Sequence, residues 1–162
     1  MKITIQRNQV VTYEQVQEIC TDCESTSIQL ERLLLSLDKV IPCESDIQCQ
    51  SLKESLLRRY FEVLSTQLKV AAFDLKSAMQ GSEQDIQSLK EKAKNAQRLG
   101  FFAHFLLIVI ESLTVKSLDP DIQDATKELC GEFKKTLLAV SGLLHNVSVI
   151  FRHNKLEERK VA

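Results

Sequence analysis

The chain has 162 residues, of which 44% are hydrophobic and 27% are charged, and its formal net charge is -1. This length is sufficient for one domain with its own core, and this composition is typical of a folded protein rather than a disordered one. The near-neutral charge argues against a general electrostatic affinity for nucleic acid, so no nucleic-acid partner is expected. With only 4 Gly and 2 Pro, the chain is predicted to form long helices with few connections.

The N-terminal sequence MKITIQRNQVV is predicted to be a short arm, and it lacks the apolar run of a signal peptide. Within it, Lys2 to Gln6 alternates like a strand that has no partner strand in this chain. The arm is therefore expected to lie along the helices or to pair with another protein. The 5 Cys residues form an odd number in a chain too large to need disulfides. Reduced thiols in a cytoplasmic or nuclear compartment are expected.

The first predicted helix begins after Thr12 and ends at Pro42. Thr12 and Gln15 have the spacing of a capping box, and Val11 and Val16 are placed as a hydrophobic staple around it. Pro42 ends the helix because the residue before a proline is pushed out of helical geometry. Between Thr12 and Pro42, apolar and small residues follow one another at alternating spacings of three and four positions, which is a heptad pattern. These positions are Val16, Ile19, Cys23, Thr26, Leu30, Leu33, Leu37 and Val40.

Three further helices are predicted from start signals, stop signals and heptad patterns. The second starts at a capping box at Ser45 and ends at Gly81, a residue suited to a left-handed C-terminal position. Ser82 caps the third, in which Gly100 marks a bend or a break. Asp119 and Pro120 start the fourth. The heptad positions of these helices run from Leu57 to Ala78, from Ile86 to Ile110 and from Ile122 to Ile150.

The fold class predicted from these patterns is all-α, an antiparallel up-and-down four-helix bundle. Its helices cover about residues 13–41, 46–80, 83–118 and 120–153. Residues 1–11 form the arm, 12–155 a single helical domain and 156–162 a polar tail. In heptad period and length the chain resembles helical adaptor modules such as the vinculin and talin rod bundles. That resemblance implies a similar architecture and carries no residue role.

The outward face of the third helix changes character at Gly100. Before it, the outward heptad positions are polar or charged, from Gln87 to Arg98. After it, the outward positions as far as Ile110 are apolar, and these are the predicted partner-binding residues: Phe101, Phe102, Phe105, Ile108 and Val109. An open apolar patch of this size exceeds what most monomers expose, so something is expected to cover it.

Three interpretations of this face remain open from the sequence. In the first, the half-helix is central in a less regular fold, and the N-terminal arm and a bent neighbouring helix cover it. In the second, it binds a protein partner or forms a homodimer. In the third, the Phe101–Val115 region associates with a membrane, although the run is shorter than the ~20 apolar residues of an ordinary span and Glu111 lies within it.

Few residues of the sequence indicate a catalytic or metal-binding site. Cys20 and Cys23 have a C-x-x-C spacing, but the heptad pattern places Cys23 in the core, far from Cys43, so no metal site is expected. His104 lies on an apolar helix and is expected to be a hydrogen-bonded core histidine rather than a general base. No cofactor is predicted. The leading hypothesis is a non-enzymatic adaptor or complex subunit, and the alternative is a membrane-associating bundle.

Overall fold

The computed structural model of the protein describes residues 4–37, 47–80, 86–112 and 120–156. Within these ranges the chain forms four helices: α1 (Tyr13–Leu34), α2 (Ile47–Met79), α3 (Ile86–Ser112) and α4 (Pro120–His153). Two short strands, β1 (Val10–Val11) and β2 (Lys155–Leu156), flank them.

The helices form two tightly packed pairs, α1 with α2 and α3 with α4. The α1/α2 pair is antiparallel, because Glu24 of α1 contacts Lys76 of α2 whereas Glu31, one heptad later, contacts Lys69. The two pairs meet through contacts of α4 with both α1 and α2. At their centre the Phe61 and Phe133 rings lie 5.5 Å apart and are fully buried. The prediction of an all-α four-helix bundle is confirmed.

The predicted start of α1 is confirmed in atomic detail. Thr12 Oγ1 accepts a hydrogen bond from Gln15 N at 3.2 Å, and Gln15 Oε1 accepts one from Thr12 N at 3.0 Å. These two bonds satisfy donors that a helix N-terminus otherwise leaves open. Val11 and Val16 on either side of the cap are both completely buried.

The prediction that α1 continues to about residue 41 is wrong. The helix ends at Leu34, and Ser36 N then donates to Leu33 O at 3.0 Å, the i to i+3 bond of a tightened last turn. Arg58 Nη1 of α2 donates to Leu34 O at 3.0 Å and satisfies a carbonyl that the helix terminus leaves open. A tertiary contact therefore stabilises this end. The proline predicted to stop the helix lies in residues 38–46, outside the described part of the chain.

The heptad positions of α2 and α4 are largely buried, as predicted. The fully or nearly buried members are Leu57, Phe61, Leu64, Leu68, Ala71, Leu75, Phe133, Thr136, Val140, Val147 and Ile150. Pro120 is the first residue of α4, and α4 ends at His153 as predicted. The caps predicted at Ser45, Gly81, Ser82 and Asp119 lie outside the described residues.

Helix α3 runs through Gly100 without a break. A Cβ placed on Gly100 would lie in ordinary van der Waals contact with α4, 3.6 Å from Leu144 Cβ and 3.7 Å from Ser141 O, so α3 and α4 pack closely at this position. The prediction that Ile86 is a core residue is wrong, since its side chain is 71% exposed. The cause is its place in the first turn of α3, where Leu89 is also only half-buried and full burial begins at Ala93.

Both ends of the described chain pack at one end of the bundle. Strand β1 pairs in parallel with β2, so the chain near the predicted polar tail forms a strand pair that the sequence did not reveal. Asn154 Nδ2 donates to Gln6 O at 2.9 Å and to Gln9 O at 2.6 Å. Ile5 is buried, and its N–H donates to Asn146 Oδ1 at 3.3 Å. The described part of the arm, from residue 4 onward, therefore lies along the bundle, which is one of its two expected placements.

We expect Phe61→Ala to lower the free energy of unfolding by about 3 to 5 kcal/mol, because it removes a fully buried ring and leaves a cavity in the centre of the bundle. Phe73→Ala is the matched control on the same helix, since Phe73 is 69% exposed. Its expected change is about 0.5 kcal/mol or less. Urea unfolding followed by circular dichroism measures both. Equal losses in the two variants would contradict this description of the core.

Candidate protein interaction surface

The edge between α2 and α3 is the most loosely packed side of the bundle. At one end of this edge the rings of Tyr60 and Phe102 meet edge to face, with centroids 5.2 Å apart and planes at 85°. At the other end Lys92 Nζ and Asp74 Oδ1 lie 3.6 Å apart. The edge is therefore aromatic at one end and charged at the other.

Further exposed apolar side chains lie within two turns of Tyr60 on α2 and of Phe102 on α3. On α2, Leu56 and Val63 lie one turn before and after Tyr60, and they are 45% and 41% exposed. On α3, Phe101 is 68% exposed and Phe105 57% exposed. We call this set the α2/α3 apolar surface, and its members are Leu56, Tyr60, Val63, Phe101, Phe102, Phe105 and Ile108.

Three of the five residues predicted to point outward from α3 do so, namely Phe101, Phe105 and Ile108. Phe102 and Val109 are instead half-buried and pack against the core. Their position on the helix explains this difference, because they face α2 rather than solvent. Phe102 nevertheless belongs to the surface through its contact with Tyr60. Val109 contributes to the core.

The α2 half of the surface was not predicted. The signal was present, since Leu56, Tyr60 and Val63 widen the apolar face of α2 beyond its heptad positions. A heptad pattern does not say which neighbouring helix covers a widened face. Here no described helix covers it fully, because α3 packs against α4 and leaves this side of α2 open.

The interpretation that the N-terminal arm covers the apolar face of α3 is wrong. From residue 4 onward, the arm lies against α4 at Asn146 and pairs with β2, while Phe101, Phe105 and Ile108 remain more than half exposed. The interpretation that α3 is a buried central helix is excluded by the same exposure.

Basic side chains border the α2/α3 apolar surface. Arg59 precedes Tyr60 and is exposed. On the outer stripe of α3, Lys94 and Arg98 precede Phe101 by two turns and one turn, and both are exposed. The stripe thus changes from cationic to apolar along the helix, as the sequence indicated.

The thiols of α1 are placed where they are chemically inert. Cys20 and Cys23 are completely buried, and Cys20 Sγ lies 3.5 Å from Ala72 O. Burial raises the pKa of the Cys20 thiol to about 11 and that of the Cys23 thiol to about 12. Because the thiolate is the nucleophile and the metal ligand, both groups remain protonated and unreactive near neutral pH.

The expectation that His104 is a core histidine is wrong, because it is exposed on α3. The apolar run around it had suggested burial on all sides, whereas only one side of α3 packs into the bundle. Within the described ranges, no group of three or more His, Cys, Asp or Glu side chains is arranged to hold a metal ion. Cys43 lies outside these ranges.

None of the helices in the described part of the chain combines the length and the hydropathy needed to cross a bilayer. No protein-family model matches the chain, and no curated protein or solved structure is significantly similar to it. The resemblance to vinculin and talin rod bundles therefore remains one of heptad period and length.

We expect the protein to lose stability as the pH rises from about 9 toward 12. The thiols of the unfolded chain ionise near pH 9, whereas the folded protein keeps the Cys20 and Cys23 protons to about pH 11 and 12. The unfolded state then binds fewer protons, so each thiol contributes a slope approaching about -1.4 kcal/mol per pH unit.

Urea unfolding at a series of pH values measures this slope in wild type and in Cys23→Ala. The variant loses one titrating thiol, so its stability is expected to fall less steeply over this pH range. Ser25→Ala, an exposed position on the same helix, is the control and keeps the wild-type slope. An unchanged slope in Cys23→Ala would show that the thiol is accessible to water.

Proposed function

We propose that this protein is a non-enzymatic protein-interaction module, an adaptor or a subunit of a larger complex, which binds another protein chain on the α2/α3 apolar surface. The bound chain is either a different protein or a second copy. The observation that carries the proposal is the exposure of Phe101, Phe105 and Ile108, each more than half accessible, beside the Tyr60–Phe102 ring pair.

The size and composition of the surface support this proposal. A fully exposed aromatic side chain offers roughly 150 to 250 Å2, so the α2/α3 apolar surface exposes on the order of 500 Å2. This is at the upper end of what monomers expose, and it is comparable to the apolar centre of a standard interface of about 800 Å2 per partner. Aromatic side chains are also the residues that most often dominate binding energy at interfaces.

The fold also supports a protein partner over insertion of the Phe101–Val115 region into a membrane. On the described part of that segment, Ala103, Leu106, Leu107 and Ile110 are buried in the core. Insertion of the whole segment would remove these side chains from the bundle, and burial of each large one contributes about 1.5 to 3 kcal/mol. A protein partner needs only the face that is already exposed.

The proposed compartment is reducing, that is, the cytoplasm or the nucleus. What supports this part of the proposal is that three cysteines of the helices, Cys20, Cys23 and Cys130, are unpaired and buried. Buried free thiols are typical of proteins in reducing compartments.

The test replaces Phe105 with Glu. Because Phe105 is 57% exposed, the charge is tolerated in the free monomer, but it is left buried without a partner in a complex. We expect a native circular dichroism spectrum together with at least a tenfold loss of association, which corresponds to about 1.4 kcal/mol or more. Light scattering measures self-association, and quantitative pull-down measures binding of other proteins.

Phe73→Glu is the matched control. Phe73 is 69% exposed on α2 but lies thirteen residues from Tyr60, about 20 Å along the helix. This variant is expected to keep the molar mass that light scattering gives for the wild type in solution, and to bind the same proteins in the pull-down. If Phe105→Glu also keeps both, the α2/α3 apolar surface is not an interface.

Vesicle flotation tests the membrane alternative. We expect no flotation of wild type with either neutral phosphatidylcholine or mixed phosphatidylcholine and phosphatidylserine vesicles. Flotation that Phe105→Glu abolishes and Phe73→Glu preserves would assign the surface to a membrane and contradict the protein-interaction proposal.

A further inference from the structure

A groove of about 380 Å3 lies between α1 and α4, on the edge of the bundle opposite the α2/α3 apolar surface. It runs from Ile19 and Asn146 at one end to Thr26 and Leu138 at the other. This span covers seven residues of α1, or about 10 Å along the helix axis. Thr4 of the N-terminal arm closes the end near Asn146.

The α4 wall of the groove combines apolar and small residues. Leu138 is 50% exposed and Leu143 is half-buried, so both present apolar surface to an occupant. Ala139 and Gly142 lie between them and leave room. A Cβ placed on Gly142 meets no atom within 4 Å, so another backbone can approach α4 closely at this point.

The α1 wall is acidic. Glu18 and Asp22 lie one turn apart and both line the groove, whereas the ionisable side chain that α4 contributes to the lining is His145. On the side of α1 that faces α2, the carboxylates are neutralised, Glu24 by Lys76 and Glu31 by Lys69. Among the described residues, no basic side chain forms an ion pair with Glu18 or Asp22.

We propose that the α1/α4 groove binds an amphipathic helix of a partner protein whose apolar row is flanked by Lys or Arg residues. The apolar row packs on Leu138 and Leu143, and the small residues let the partner backbone come close. The basic residues pair with Glu18 and Asp22, which α4 leaves unmatched. This site is independent of the proposed function, because it is lined by α1, α4 and the arm and contains no residue of the α2/α3 apolar surface.

The test uses two synthetic peptides of about 14 residues, enough for four helical turns. One carries Leu at helical spacing flanked by Lys, and the other carries the same Leu pattern flanked by Glu. Fluorescence anisotropy of labelled peptides measures binding to the full-length protein. We expect the Leu/Lys peptide to bind, with an affinity that falls as salt rises, and the Leu/Glu peptide to bind at least tenfold more weakly.

Two pairs of variants locate the binding. Gly142→Leu fills the groove and is expected to lower the affinity for the Leu/Lys peptide at least tenfold. Gly131→Leu is its matched control, because Gly131 is an exposed glycine of the same helix with no atom within 4 Å of its Cβ position, and it does not line the groove. Both changes replace a helix-interior glycine with a better helix former, so both variants are expected to fold.

The double variant Glu18→Lys with Asp22→Lys tests the role of the two carboxylates. It is expected to lower the affinity for the Leu/Lys peptide at least tenfold and to raise the affinity for the Leu/Glu peptide. Phe105→Glu is expected to bind both peptides as the wild type does. A result that contradicts the proposed function of the α2/α3 apolar surface is therefore distinguishable from one that contradicts the proposal for this groove.

The proposal is overturned if the Leu/Lys peptide does not bind, if it binds Gly142→Leu as tightly as Gly131→Leu, or if both peptides bind equally well. It is also overturned if light scattering without peptide shows that Gly142→Leu converts a dimer to a monomer, since the occupant would then be a second copy.

Discussion

The close approach of α3 to α4 is the constraint on which the arrangement of this bundle depends. Ala93, Ala96, Gly100 and Ala103 are all buried, and a Cβ on Gly100 would already touch Leu144 and Ser141. Short side chains along one side of a helix allow its neighbour to come closer than larger residues would permit, so α3 packs tightly against α4. Helices α1 and α2 form a second tight pair, which is joined by the lysine–glutamate contacts and by buried polar side chains.

The α1/α2 pair contains a polar contact that a purely apolar interface would lack. Ser27 Oγ and Ser65 Oγ lie 2.8 Å apart in the core, and Ser65 also donates to Glu31 Oε1 at 3.1 Å. Buried hydroxyls are costly unless they are hydrogen-bonded, so this contact favours one register of the two helices over neighbouring ones. Because α1 packs on α2 and α3 packs on α4, the two remaining edges of the bundle are lined by side chains that these two interfaces do not bury.

Those two edges differ in chemistry. Where α2 meets α3, the rings of Tyr60 and Phe102 meet edge to face, and the neighbouring large apolar side chains stay partly exposed. Where α1 meets α4, the small residues Ala139 and Gly142 leave a groove beside two carboxylates that no basic side chain of the described residues pairs with. One edge thus has excess apolar surface and the other has space and negative charge. If both proposed docking surfaces are used, their different chemistry and their positions on opposite edges would allow the bundle to bind two different partners.

The sequence by itself determined the helices, because the heptad spacing, the Thr12–Gln15 capping box and the start at Pro120 are local signals. It also located the apolar stripe of Phe101, Phe105 and Ile108, since a change from charged to apolar residues at one helical spacing is visible without a structure. Only the tertiary structure decided where α1 ends, because Arg58 of another helix stabilises that terminus. Only the tertiary structure paired β1 with β2, placed His104 in solvent and left Leu56 and Val63 exposed. Each of these outcomes depends on which helix lies beside which, and heptad patterns that fit any neighbour do not contain that information.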